Sequence, residues 1–188
     1  MWKGVVLVGL AALALGVGSI FLRRTAVPEE AGSPEQEVKL APEFPRDTQW
    51  LQSKPLTLAS LRGQVVVVHF WTNGCINCIH NYRVYNDWQK KYAGNGVTII
   101  GVHTPEFAEE ADVDRVRAKA RANGLEFPIA IDTDSTIWNR WENHYWPSIY
   151  LIDKKGLVRY HWDGELHVEI VEARQFASRI DELRAEEP

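Results

Sequence analysis

The two cysteines of this chain, Cys75 and Cys78, are separated by two residues and follow closely on the apolar run Val65–Trp71. The run predicts a buried strand and the segment after it a helix, which places Cys75 at the helix N-terminus. Unpaired backbone N–H groups and the helix dipole stabilise a thiolate there, and the thiolate is the attacking species in disulfide exchange. Because the sequence holds no third cysteine, a framework of structural disulfides is excluded.

Composition narrows the class of protein further. The chain has 188 residues, of which 45% are hydrophobic, and this suits one domain with short appendages. Its formal net charge is -4, whereas a nucleic-acid-binding domain normally carries a basic patch. We therefore predict a globular domain without a nucleic-acid partner.

The N-terminal part differs from the rest, because residues 4–22 contain no charged side chain. A helix that crosses a bilayer needs about 20 apolar residues, so this length suits a membrane anchor. A cleaved signal peptide, with its shorter apolar core, is the alternative. Lys3 on one side and Arg23 and Arg24 on the other nearly balance, so the positive-inside rule does not fix the orientation. We favour an uncleaved anchor.

Three segments are predicted along the chain. Residues 1–24 form the membrane anchor or signal segment. Residues 25–46 contain four prolines and few large apolar side chains, which is typical of an extended linker. Residues 47–188 carry the globular pattern and form the third segment.

Hydrophobic periodicity within the third segment predicts an α/β domain with a central mixed sheet flanked by helices. A strand–helix–strand order with this spacing implies a parallel pair joined by a right-handed crossover. The predicted elements are a short strand at 56–58, a strand at 65–71, a helix after Cys78, a strand at 97–102, a helix at 112–123, a strand at 127–131, a helix at 135–143, a hairpin of 148–152 and 157–162, and a last helix with Ala173, Phe176, Ile180 and Leu183 on its apolar face.

This order, with the cysteine pair at the first strand–helix junction, resembles the thioredoxin fold. A closer resemblance is to membrane-tethered redoxins of the TlpA-like group, especially the thioredoxin-like domain of the DipZ type. It covers about residues 42–167. The residues that carry it are Phe70–Thr72 with Cys75–Cys78, Gly101–Phe107, Tyr145–Pro147 and Tyr150–Asp153.

The resemblance implies a thiol–disulfide oxidoreductase that exchanges the Cys75–Cys78 pair with protein substrates. Cys75 is then the nucleophile, and Cys78 resolves the mixed disulfide. The resemblance also implies that Pro147 is preceded by a cis peptide bond. Trp146 would then flank the dithiol and offer backbone groups to the extended chain of a partner.

Two residues depart from the thioredoxin pattern. Gly74 precedes the first cysteine where thioredoxins commonly have tryptophan, which predicts a more open dithiol or a more flexible loop. His69 stands where thioredoxins hold a buried carboxylate that helps to deprotonate the second cysteine. A histidine there suits a proton relay, and a core histidine hydrogen-bonded to backbone is the other interpretation.

Two other functions stay open at this point. Cys75, Cys78 and His80 form a C-x-x-C-x-H cluster whose thiolate and imidazole groups suit copper or zinc, so a copper-binding metallochaperone is one alternative. A fourth ligand could come from another histidine, such as His103, His144, His161 or His167, only through the tertiary fold. A thiol peroxidase is another, since an exposed low-pKa cysteine forms a sulfenic acid that a second thiol resolves. His103 and Glu106 would line that peroxidase site.

We expect a single-pass protein whose thioredoxin-like domain faces the periplasm or an equivalent extracytoplasmic space, acting as a reductant. Free dithiols do not stay reduced in oxidising surroundings, so a membrane dithiol electron carrier is the expected partner. Exchange between sulfur atoms needs no cofactor and no metal, and neither is predicted.

Overall fold

The computed structural model describes Met1, residues 39–167 and residues 169–188. The predicted anchor at 4–22 and the linker up to residue 38 lie outside the described residues. Among the helices of the described part, none combines the length and the apolar character that crossing a bilayer would require.

A six-stranded mixed sheet is the centre of the described chain, as predicted. The strands are β1 (Gln49–Leu51), β2 (Val65–Trp71), β3 (Val97–His103), β4 (Ile129–Ile131), β5 (Ser148–Ile152) and β6 (Val158–Asp163). Their order in the sheet is β1-β4-β3-β2-β5-β6, in which β3 is parallel to both of its neighbours and the other pairs are antiparallel.

Helices cover both faces of this sheet, and the side chains of β2 alternate between two apolar clusters. The helices are α1 (Ile76–Tyr92), α2 (Val113–Ala122), α3 (Thr136–Arg140) and α4 (Val171–Ala185), and short 3-10 turns lie at Ala59–Leu61 and Ala108–Glu110. Val65, Val67 and Trp71 pack in a cluster with residues of α1, α2 and α4. Val66, Val68 and Phe70 pack in the other cluster with a side chain of α3.

The predicted short strand at 56–58 is wrong, and the strand at that edge of the sheet is β1. The carboxylate of Glu43 accepts hydrogen bonds from the backbone N–H groups of Leu58 (2.6 Å) and Ala59 (3.0 Å). Leu58 is buried and leads into the 3-10 turn that follows. Since their amides bond to Glu43, these residues do not join the sheet.

The third predicted helix is shorter than expected, because it ends at Arg140 rather than at residue 143. Glu142 has a positive φ of 51°, which helical residues do not adopt. The side-chain amide of Asn143 donates to the backbone carbonyl of Tyr145 (2.9 Å), where the chain turns toward β5.

The globular part begins earlier than the predicted boundary at residue 47. Phe44 is buried in the same cluster as Phe70, and the backbone N–H of Ala41 donates to the carbonyl of Gly156 (2.9 Å). Leu40 also forms a bridge to Leu157. The prolines of this segment predicted a linker, but Phe44 and the backbone contacts of Leu40 and Ala41 attach its end to the domain.

The strand register decides which loops meet at one edge of the sheet. Trp71 at the end of β2 is paired with His103 at the end of β3. Phe70 is paired with Ser148 at the start of the antiparallel β5. The loops after β2, after β3 and before β5 therefore converge at this edge.

Candidate active site

Cys75 and Cys78 form a disulfide at the start of α1, with their Cα atoms 5.2 Å apart. Cys75 is the N-cap residue of α1 and is half-buried, whereas Cys78 is fully buried. The backbone N–H of Cys78 donates to the sulfur of Cys75 (3.0 Å). The first turn of α1, all of it described, contains no acidic side chain to oppose a negative charge at this end. The predicted arrangement of the sulfur atoms is therefore present.

The peptide bond between Trp146 and Pro147 is cis, which is the isomer that the resemblance implies. The indole N–H of Trp146 donates to the carbonyl of Thr104 (3.1 Å), and its ring stacks on Trp138 with centroids 4.0 Å apart. Trp146 and Cys75 both pack against the apolar cluster that contains Cys78. These contacts fix the residue before the cis bond on two sides.

His69 lies fully buried in β2, on the same side of the sheet as Trp71. Its ring stacks on Tyr85 with centroids 3.9 Å apart and meets the edge of Phe127 at 4.9 Å. Among the described residues neither ring nitrogen has a hydrogen-bond partner. Burial lowers the pKa of His69 to about 3. The side chain is thus a neutral ring within the aromatic core, without the backbone hydrogen bond expected of a core histidine, and its role as a proton relay stays a prediction.

A residue that the sequence did not single out, Glu110, holds two of the three converging loops together. Its buried carboxylate accepts hydrogen bonds from the hydroxyl of Thr72 (2.6 Å) and the backbone N–H groups of Gly74 (2.7 Å) and Glu106 (2.8 Å). Burial alone would raise the pKa of Glu110, but these hydrogen bonds outweigh it and hold the pKa below its usual range. The loop contains three glutamates within five residues, Glu106, Glu109 and Glu110, and nothing in their spacing shows which side chain is buried.

The loop before the first cysteine is therefore tied down, where the sequence predicted an open or flexible loop at Gly74. The amide of Gly74 is bonded to Glu110, and a Cβ at position 74 would lie 2.4 Å from the same carboxylate oxygen. Glycine is required at position 74 because any side chain there would displace the carboxylate of Glu110 from the backbone. The absence of tryptophan at this position leaves room for the carboxylate.

Asp132 joins the loop after β3 to the start of α3 in a similar way. Its buried carboxylate accepts hydrogen bonds from the backbone N–H groups of Ile137 (2.7 Å) and Trp138 (2.9 Å) and from the hydroxyl of Thr104 (2.8 Å). Burial raises the pKa of Asp132 despite these bonds. The N-cap position of α3 is Ser135, three residues further on, so the N-cap signal in the sequence does not point to Asp132. Through Trp138 the contact supports Trp146.

The histidines and the glutamate of the two alternative functions have partners other than the cysteines. His80 contacts Glu165 (Nδ1 to Oε2, 3.0 Å), and the cluster of metal-ligating groups that includes it contains neither cysteine. His103 is buried against Trp71, with ring centroids 5.0 Å apart, whereas Glu106 is exposed. In this disulfide form His80 thus groups with Glu165 and His167 among the described residues, and the copper-binding and peroxidase alternatives stay predictions.

Comparison with known proteins agrees with this geometry. The family model described as "AhpC/TSA family" matches residues 38–161. Protein DipZ of Mycobacterium tuberculosis is 43% identical over 129 residues, which are 66% of this chain and 18% of DipZ. The thiol-disulfide oxidoreductase YkuV of Bacillus subtilis is 25% identical over 133 residues, 71% of this chain and 89% of YkuV. The chain spans less than a fifth of the length of DipZ.

Solved structures show the same fold. The crystal structure of a thiol-disulfide isomerase from Corynebacterium glutamicum superposes with a TM-score of 0.67 at 24% identity, over 78% of this chain and 98% of that one. The predicted resemblance and the thioredoxin-like fold are thereby confirmed.

The contact between Gly74 and Glu110 predicts strong coupling between the two positions. Gly74→Ala should lower the free energy of unfolding of the disulfide form by about 1–3 kcal/mol, because the displaced carboxylate leaves buried donors without an acceptor. In a Glu110→Ala background the same substitution should cost at least about 1 kcal/mol less. Urea unfolding of the four proteins in this cycle measures the coupling. Equal costs in both backgrounds would show that Gly74 is not kept for the carboxylate.

The environment of His69 predicts a pH dependence of stability. The unfolded chain binds a proton at this histidine near pH 6.5, and the folded chain only near pH 3, so stability falls as the pH drops below 6.5. Between pH 7 and 5.5 the wild type should lose about 1 kcal/mol more unfolding free energy than His69→Leu. Urea unfolding at the two pH values tests this. The same substitution at the exposed His144 is the control, and should leave the wild-type loss unchanged. An identical loss in His69→Leu and wild type would refute the neutral buried state.

Proposed function

From the premise that the chain belongs to the AhpC/TSA family, we propose that its Cys75–Cys78 pair exchanges electrons with protein thiols and disulfides outside the cytoplasm. The observation that carries this proposal is the half-buried Cys75 at the N-terminus of α1, disulfide-bonded to the buried Cys78. One sulfur is accessible and the other is protected, which is what a two-step exchange requires.

The proposed reaction begins with the reduced pair. The thiolate of Cys75 attacks one sulfur of a partner disulfide, forming a mixed disulfide and releasing the other partner sulfur as a thiolate. Cys78 loses its proton and attacks the Cys75 sulfur, which breaks the mixed disulfide and frees the second partner thiolate. The partner gains two electrons, and the Cys75–Cys78 disulfide of the structure is the product.

The N-terminus of α1 assigns the order of these two steps. Cys75 is reachable from solvent, and the backbone N–H of Cys78 donates to its sulfur, which favours the anionic form. Cys78 has no exposed surface, so a bulky partner disulfide does not reach it. Attack by Cys75 followed by resolution through Cys78 is the sequence of events that fits these environments.

The carboxylate of Glu110 supports the reducing direction. It bonds the amide of Gly74, one residue before Cys75, and its lowered pKa keeps it anionic at neutral pH. This carboxylate lies outside α1 and offsets part of the stabilisation that the helix N-terminus gives to a thiolate at Cys75, which favours the disulfide relative to the dithiol. A more stable disulfide means a lower reduction potential, and a lower potential makes the dithiol a better reductant.

The proposed partners dock at the edge of the sheet where the three loops converge. Each loop carries one exposed apolar side chain: Ile76 beside the cysteines, Phe107 after β3, and Tyr145 before the cis bond. Exposed apolar residues of this kind favour contact with another protein. We propose that a substrate protein covers these side chains while its disulfide reaches Cys75.

Membrane attachment and electron supply complete the proposal. Residues 4–22 have the length and composition of an anchor, and we propose that they tether the domain on the periplasmic or equivalent extracytoplasmic side. A domain that reduces substrates in an oxidising compartment needs renewed electrons, and a dithiol carrier in the same membrane would supply them.

The two cysteines are predicted to fail in different ways when replaced. Cys75→Ser should reduce the rate of peptide-disulfide reduction to that of the buffer, because no accessible thiolate is left. Cys78→Ser should instead accumulate a mixed disulfide through Cys75, since the resolving sulfur is missing. Non-reducing electrophoresis and mass spectrometry of the full-length chain after incubation with a peptide disulfide measure the adduct.

A double variant, Cys75→Ser with Cys78→Ser, is the control for adducts that do not involve these sulfurs. If the adduct formed at Cys78 in the Cys75→Ser protein and none formed in Cys78→Ser, the assigned order of attack would be wrong. If neither single variant formed an adduct, the two-step exchange itself would be refuted.

A further inference from the structure

We propose that His80, Glu165 and His167 bind a divalent transition-metal ion, with Zn²⁺ as the probe ion, at a site separate from the dithiol. Each residue offers one ligand atom, and the three atoms lie within 4.8 Å of one another. The sequence indicated His80 only as a companion of the cysteines, so the fold creates this different combination.

The donor atoms converge on one carboxylate oxygen. Nδ1 of His80 lies 3.0 Å from Oε2 of Glu165, and Nε2 of His167 contacts the same oxygen. The two imidazole rings have centroids 5.5 Å apart. Two imidazole nitrogens and one carboxylate are a donor set that suits Zn²⁺, with water completing the coordination as in open three-ligand zinc sites.

A buried side chain holds the two halves of this site together. Asn81, next to His80 in α1, is fully buried. Its amide donates to the carbonyl of Gly164 (3.2 Å) and accepts from the backbone N–H of Leu166 (2.5 Å). These two bonds bracket Glu165 on both sides and fix the segment against α1. The ligands from the segment are therefore positioned before any ion arrives, which reduces the ordering cost of binding.

The site is open to exchange with solvent and independent of the sulfur chemistry. The side chains of His80, Glu165 and His167 keep 43%, 28% and 41% of their surface exposed. Neither cysteine belongs to the cluster, although His80 follows Cys78 by only two residues. Zn²⁺ should therefore bind while the disulfide is intact. The competing explanation is that Glu165 only accepts hydrogen bonds from His80 and His167, and this explanation predicts no metal affinity.

The test uses the full-length chain without a histidine tag and with the disulfide intact, titrated with Zn²⁺ in competition with a fluorescent chelator. We expect saturation at one equivalent. His80→Ala and His167→Ala should each weaken binding by at least about tenfold, and Glu165→Gln, which keeps the size of the side chain, should weaken it as well. His144→Ala, at an exposed histidine outside the cluster, is the matched control and should bind as the wild type does.

Two further measurements separate this site from other sources of zinc binding. The Cys75→Ser, Cys78→Ser double variant should keep the wild-type affinity, because no sulfur is a ligand. Circular dichroism should show that the cluster variants remain folded, which their exposed positions favour. The proposal is overturned if the disulfide form shows no saturable Zn²⁺ binding, if the cluster variants bind like the wild type, or if the double cysteine variant loses the site.

Discussion

The position of β2 in the sheet is the constraint on which the rest of the structure depends. All seven of its residues are buried, and it pairs with the parallel β3 on one side and the antiparallel β5 on the other. Because the end of β2 adjoins the end of β3 and the start of β5, three loops must close the same edge. The cysteine pair, the Glu110 loop and the cis bond before Pro147 are consequently neighbours. In the sequence, Glu110 lies 36 residues after Gly74, and Trp146 lies 71 residues after Cys75.

Two buried carboxylates turn this convergence into a defined site. Glu110 joins the loop of the cysteines to the loop after β3, and Asp132 joins that second loop to the helix that supports Trp146. A buried carboxylate is stable only when donors surround it, and both of these have three or more. In the proposed function, the charge of Glu110 also lowers the reduction potential of the neighbouring cysteine pair. Geometry and electrostatics of the site therefore depend on the same side chains.

The sequence predicted what local patterns encode and missed what long-range contacts decide. A nearly continuous apolar run and two closely spaced cysteines indicate β2, the start of α1 and the disulfide without knowledge of the fold. The inward turn of Glu110 could not be predicted, since it depends on the pairing of β2 with β3. For the same reason Gly74 was interpreted as a source of flexibility, and residues 40–46 as a linker. The contact of His80 with Glu165 joins segments 85 residues apart and has no signature in the sequence.

The most direct test of this account is a redox titration of the full-length chain in dithiothreitol buffers, followed by tryptophan fluorescence. Trp71 is fully buried in the cluster that contains Cys78, so its emission should report the state of the pair. The account predicts a single reversible two-electron couple at or below about -250 mV, the range of a reductant. A couple at about -120 to -180 mV would contradict the reducing direction. The absence of any reversible couple would contradict the exchange function itself.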